Sequence, residues 1–131
     1  MNVDKEWSHS TEFEAADSSA SDAREFVTRH LLEHDLGHLI DDVQLVASEL
    51  ATNAIAHAHT RFMVTLEATD ESVRLEVLDE SPSEPVMMIA RPMDIGGRGV
   101  AIVDALSREW GSTAGRSGGK SVWATFDPRV A

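Results

Sequence analysis

The sequence predicts an α+β two-layer sandwich, with helices on one face of a mixed, mainly antiparallel sheet. Three observations carry this. Apolar residues recur at helical spacing in two consecutive stretches before residue 60. Two pairs of short alternating segments follow, each pair joined by a short polar turn, and strands joined that way must be antiparallel. Helical and strand segments come in separate groups rather than in strict alternation, which is the α+β pattern. At 131 residues the chain is one domain with tails.

The elements follow in order. Residues 1–18 are polar and acidic and read as a largely flexible segment, with one short strand at Glu12-Phe13-Glu14-Ala15. Residues 19–127 form the folded domain and 128–131 a C-terminal tail. Ser19 followed by Asp22 resembles a capping box, after which Ala23, Phe26, Val27 and Leu31 repeat at helical spacing until Gly37. A second helix begins near Leu39. It carries Asp41 and Asp42 in its first turn, where negative charge suits the helix dipole, and runs to about His59. Residues 62–67 and 73–78 alternate as strands around the turn Thr69-Asp70-Glu71-Ser72. From Glu80 to Arg98 the chain holds three of its four prolines (Pro82, Pro85 and Pro92) and ends in Gly96-Gly97-Arg98-Gly99, a long loop of the kind that carries function. Val100, Val103, Ala105 and Leu106 form a short helix directly after the glycines. Strands near 109–114 and 121–126 close the domain, with 115–119 as their turn.

Charge restricts the function classes. Lysine and arginine total 11 against 23 acidic residues, a net charge of −12. That balance argues against a nucleic-acid binder, which needs basic charge to displace phosphate counterions, and against docking on an anionic membrane. The sequence has no apolar run of membrane-spanning length and no secretory leader pattern. It has no cysteine, so there is no thiolate chemistry. A cytoplasmic protein is the simplest reading. An anionic ligand must be met by backbone N–H groups, a few arginines or a metal ion.

Three places can carry chemistry. On the second helix Glu49, Asn53 and His57 form one stripe at i, i+4, i+8. Asn53 and His57 fall inside the apolar arc and Glu49 at its edge. A buried asparagine without partners costs about 1–3 kcal/mol, so the stripe is either a satisfied core network or a carboxylate and an amide aimed at a hydrated cation, for which magnesium is the fitting ion. Asp79 ends an otherwise apolar strand and alone reads as a solvated terminus. The glycines before the third helix allow close approach of backbone to a ligand, and a helix start offers unpaired N–H groups to an anion. Arg98 among them adds a fork suited to phosphate.

Two patterns are set aside. Residues 114–121 match a relaxed phosphate loop ending in Gly119-Lys120-Ser121, but the segment after it reads as a strand and not the helix such a loop requires. A hairpin turn with a solvated Lys120 is preferred. His30, His34 and His38 share metal-ligand spacing, but Gly37 ends the helix before His38, so a solvated helix end is preferred. Trp110 and Trp123 read as core or rim aromatics.

Together these pieces resemble one family. Glu49-Leu50-Ala51-Thr52-Asn53-Ala54-Ile55-Ala56-His57-Ala58 resembles the N box of the GHKL (Bergerat-fold) ATP-binding superfamily. Asp79 falls where that family's adenine-binding aspartate sits, and Gly97-Arg98-Gly99-Val100 resembles its second glycine box, with valine for the usual leucine. Trp110-Gly111 and Gly119 to Trp123 resemble the closing strands of its anti-sigma-factor serine/threonine kinase branch, common in actinobacteria. The first glycine box departs from the pattern, with Asp79-Glu80-Ser81-Pro82-Ser83 in place of Asp-x-Gly-x-Gly.

The resemblance implies roles. Asn53 would ligate the magnesium ion that bridges the phosphates of ATP, and Glu49 would orient or deprotonate the attacking nucleophile. His57 would belong to the same nucleotide-binding box. Asp79 would accept from the adenine amino group, with Ser121 joining those hydrogen bonds. Gly97, Gly99 and Val100 would form the lid and Arg98 would pair with a phosphate. The implied substrate is a serine or threonine of an anti-anti-sigma (STAS) protein, which competes with a sigma factor for the kinase. A homodimer is implied at the family level. The alternative is a binding module that uses ATP to set partner affinity without transfer. Asp79, Glu80 and Glu84 would repel ATP unless magnesium is present.

Overall fold

Alternation in the strands sets the architecture. In the computed structural model, which describes residues 6–80, 95–114 and 119–129, the elements run β1 (Trp7–Phe13), α1 (Ser19–Glu33), α2 (Ile40–Asn53), β2 (Phe62–Ala68), β3 (Val73–Asp79), α3 (Ile95–Leu106), β4 (Glu109–Ala114) and β5 (Lys120–Phe126). The side chains of residues 57, 58, 95–100 and 114 lie outside that description, as do residues 81–94, where most of the long proline-containing loop was expected.

The five strands form one sheet in the order β1-β2-β3-β5-β4. Every neighbouring pair is antiparallel, so the expected mixed pairing is not found among the described residues. The reason is topological. The chain crosses from β3 through α3 to the outer edge, lays down β4, then turns back to insert β5 between β4 and β3. β3 and β4 share a direction but never touch as neighbours.

Period-two burial follows. Val64, Val77 and Val122 lie in register across the sheet, as do Leu66, Leu75 and Ala124, then Ala68, Val73 and Phe126. All nine are buried under the helices. They meet Ala23, Phe26, Val27 and Leu31 of α1 and Val43, Val46, Ala47 and Leu50 of α2. Each fully buried aliphatic side chain contributes about 1.5–3 kcal/mol, so this one core dominates stability.

The helix starts differ from expectation. Ser18, not Ser19, stands at the cap of α1, and neither Ser18 nor Asp22 closes a capping box. The Ser19 hydroxyl is buried and donates instead to the Glu14 carbonyl at 2.7 Å, tying the helix to the end of β1. A short 3-10 turn, Gly37–Leu39, leads into α2.

β1 is longer than the short strand expected at residues 12–15. It covers Trp7–Phe13 in full register with β2, from Trp7 opposite Ala68 to Phe13 opposite Phe62. Its helix-facing residues are Trp7, His9, Thr11 and Phe13. Phe13 packs against Phe26 and Phe62, with ring centroids 6.5 and 5.6 Å apart. His9 stacks on His30 at 3.8 Å, and Trp7 stacks on His34 at 4.0 Å. Burial pushes the His9 imidazole below its ordinary value, and the neighbouring His30 and His34 add to that. Ring stacking on α1 replaces the aliphatic contacts that would have marked this strand in the sequence.

Candidate functional site

The inward row at one end of the sheet is Phe62, Asp79 and Lys120, in register across β2, β3 and β5. Asp79 is 3% exposed and Lys120 5%. Neither is the solvated group expected from sequence. The Lys120 Nζ lies 3.8 Å from the Asp79 Oδ2, longer than a good N–H···O hydrogen bond, so their attraction is mainly Coulombic. Desolvation costs several kcal/mol per buried ion, and an opposite charge offsets part of it. The signal was present in the sequence, since Lys120, Val122, Ala124 and Phe126 alternate on one face.

Gly119 is what allows β5 to enter there. A Cβ at this position would lie 2.4 Å from the Asp79 carbonyl oxygen, a distance no side chain can occupy. Ser121 goes the other way. It lies opposite Leu78 on the outer face, and its hydroxyl makes a short hydrogen bond to the Glu76 carboxylate. The expected convergence of Ser121 with Asp79 is therefore not formed. The inward residue at that end is Lys120.

The end of α2 reaches the same end of the sheet. After Asn53 the helix widens into a π-helical turn, Ala54–Ala58, closed by His59 in the left-handed region at φ 58°. The Thr60 hydroxyl then accepts from the Glu80 N–H at 3.2 Å, joining this segment to the residue after β3. π-Turns are rare and concentrate at functional sites, and no residue pattern here announces one. Glu49 and Asn53 are half-buried. Among the described residues neither side chain makes a hydrogen bond or ion pair. The His57 side chain lies outside the described residues.

α3 begins at Ile95, so Gly96, Gly97, Arg98 and Gly99 form its first turns instead of preceding it. The helical backbone overrides the turn chemistry read from these glycines, each of which costs about 1 kcal/mol in a helix relative to alanine. The side chains of Arg98 and Val100 lie outside the described residues. α3 packs on α2 through its buried Val103. The chain after it is fixed at the far end of the sheet, where the Arg108 N–H donates to the Thr125 carbonyl at 2.7 Å. Twelve residues of helix span about 18 Å, so the glycine turns lie back from that far end.

The hairpin reading of residues 114–121 agrees with the fold. Lys120–Phe126 is a strand, not the helix a phosphate loop needs; residues 115–118 lie outside the described residues. Trp110 packs partly against the core, its indole N–H donating to Asp104 at 2.9 Å. Trp123 lies against Gly111 on the outer face, with the Arg74 guanidinium 5.4 Å from its ring centroid.

At this end of the sheet the described residues hold a buried aspartate–lysine pair, with the π-turn that ends α2 joined to the residue after β3. Comparisons with known proteins bear on it. Residues 13–126 match the family described as histidine kinase-like ATPase domain. Among solved structures that match is the crystal structure of the RsbU and RsbW domains of Rv1364c from Mycobacterium tuberculosis, with a TM-score of 0.67 and 22% identity over 91% of this chain. The match spans 32% of that longer chain. No curated protein matches the sequence.

Proposed function

The chain belongs to the histidine kinase-like ATPase domain family, and from that premise we propose that it binds magnesium–ATP and phosphorylates a serine or threonine of an anti-anti-sigma (STAS) partner. The observation that carries this reading is the Glu49–Asn53 stripe. Both groups are half-buried and without a partner among the described residues, on the helix whose π-turn joins the end of β3. An amide oxygen left available in that position fits a hard cation such as magnesium.

In this reading Asn53 holds the metal and Asp79 accepts from the adenine amino group. Lys120, with its Nζ 3.8 Å from the Asp79 Oδ2, lies beside that acceptor. The glycine turns of α3 and Arg98 would hold the phosphates, and Val100 and His57 would belong to the same pocket. Bound magnesium–ATP supplies the transferable phosphoryl group. Glu49, one helical turn before Asn53, takes the proton of the attacking hydroxyl as its oxygen bonds to the γ-phosphorus and the bond to the ADP oxygen breaks. Phosphoryl transfer asks a protein mainly for positioning and charge stabilisation, so this small set suffices. The unphosphorylated partner would compete with a sigma factor for the same protein in the cytoplasm, with a homodimer as the working unit. No helix among the described residues is long and apolar enough to cross a membrane.

The test is single-turnover transfer of labelled γ-phosphate to STAS partners, with nucleotide affinity measured on the same protein. Glu49→Gln retains ATP binding and loses transfer by about 10²–10⁴-fold, as removal of a positioned base does. Wild-type transfer in that variant would remove Glu49 from the mechanism. The second reading, an ATP-gated binding module, is favoured by the glycine-free Asp79-Glu80-Ser81-Pro82-Ser83 segment. It is adopted if the wild type binds ATP, changes partner affinity with it, and transfers nothing.

A further inference from the structure

Away from Asp79, where β1 packs against the C-terminal turns of α1, imidazoles gather around one carboxylate. The His30 Nδ1 lies 2.9 Å from the Glu33 Oε1, a pair set by i, i+3 spacing on one helix face. His9 arrives from β1, 21 positions earlier in the chain than His30, and stacks on its ring. One ligand atom each from His9, His30 and Glu33 lie within 4.8 Å of one another. The His30 side chain is 12% exposed and that of Glu33 51%, so the cluster is walled by protein on one side and open to solvent on the other.

We infer that His9, His30 and Glu33 form a binding site for a late first-row divalent cation, zinc above all, that fastens the edge strand β1 to α1. The donor set selects the class of ion. Two imidazoles and one carboxylate suit zinc, nickel or copper, whereas calcium and magnesium call for oxygen donors. Zinc bonds of about 2.0–2.2 Å place tetrahedral ligand atoms roughly 3.3–3.5 Å apart. The His30–Glu33 contact must open by a few tenths of an ångström, and His9 must tilt inward. The ion then takes the place of the hydrogen bond between those two groups.

The surroundings already orient the ligands. The His9 Nε2 lies 3.0 Å from the His34 Nε2. When the His9 Nε2–H donates to His34, the His9 Nδ1 is left with a bare lone pair. A hydrogen bond from the ring nitrogen that does not touch the ion fixes tautomer and ring direction in metal-binding histidines. His34 is itself held by Trp7, the two rings only 7° from parallel. Solvent fills the fourth coordination position. This arrangement departs from the His30, His34, His38 spacing visible in the sequence. His38 is directed elsewhere, to the Pro128 carbonyl at 2.7 Å, and the strand supplies the missing ligand.

Isothermal titration of the full chain with zinc, without nucleotide or magnesium, tests the site. The expected result is one ion per chain at micromolar or tighter affinity, a higher melting temperature, and d–d absorption bands when cobalt(II) replaces zinc. Glu33→Gln keeps a hydrogen-bond acceptor on an exposed side chain, so folding is preserved, and it weakens zinc by at least about 10-fold. His9→Gln and His30→Gln do the same or more, whereas His38→Ala leaves affinity unchanged. Absence of saturable binding at hundreds of micromolar zinc overturns the proposal. So does binding whose affinity and stoichiometry survive in Glu33→Gln and His9→Gln alike, which would put the ion elsewhere.

Discussion

The Asp79–Lys120 pair has clear consequences for stability. It places two opposite charges, 3% and 5% exposed, at the end of three apolar rows. Removing one partner of such a pair typically costs about 3–5 kcal/mol, because the remaining ion stays buried. Lys120→Met is therefore expected to lower stability in urea denaturation by about 3 kcal/mol, and Asp79→Asn in the same protein to recover much of it. An additive loss in the double variant would mean that the two charges do not interact. Gly119→Ala acts on the same spot through the backbone. The new methyl group meets the Asp79 carbonyl oxygen, so β5 must shift at its first residue, at a cost of about 2 kcal/mol measurable in the same assay. The sequence contains this geometry beneath a competing signal. A lysine after two glycines suggests a solvated turn, yet strand alternation already put Lys120 on the side of Val122 and Ala124. The same alternation turns Ser121 outward, one residue from the position that mattered.

At the scale of elements, legibility followed aliphatic periodicity. β2, β3 and β5 alternate aliphatic residues and were read to within one residue or so. β1 has large apolar residues only at its two ends, Trp7 and Phe13, and fills its middle with His9 and Thr11, so a pattern search that weighs aliphatics passes over it. The π-turn after Asn53, where α2 meets the end of β3, has no residue signature. The glycines of α3 were read by their intrinsic preference, and the fold uses them in a helix. This gives a prediction of opposite signs. Gly97→Ala is expected to raise the stability of the nucleotide-free protein by about 1 kcal/mol. Under the proposed function the same change weakens ATP binding, because a firmer helix start resists rearrangement around phosphates. Denaturation without ligand and calorimetric titration with magnesium–ATP would read the two effects separately, and stronger binding in the variant would contradict this role for the helix start.

For the molecule as a whole, the excess of acidic residues, net −12, makes any polyphosphate ligand dependent on a cation. Magnesium–ATP near 100 times its dissociation constant is expected to stabilise the fold by about 2.7 kcal/mol, seen as a rise in melting temperature, while ATP with a chelator gives much less. An unchanged melting temperature at millimolar magnesium–ATP would count against nucleotide binding. Fold class and the antiparallel pairs were legible because they depend on period and turn length. The strand order was not, because pairing across the sheet is decided by long-range packing. That order has a consequence for the history of each molecule. β5 is made after both β3 and β4 and lies between them. While a ribosome is still short of Phe126, β3 has no neighbour on that flank, Asp79 has no lysine beside it, and β4 has nothing to pair with. An interrupted chain that stops before Lys120 therefore exposes an open strand edge to aggregation and proteolysis.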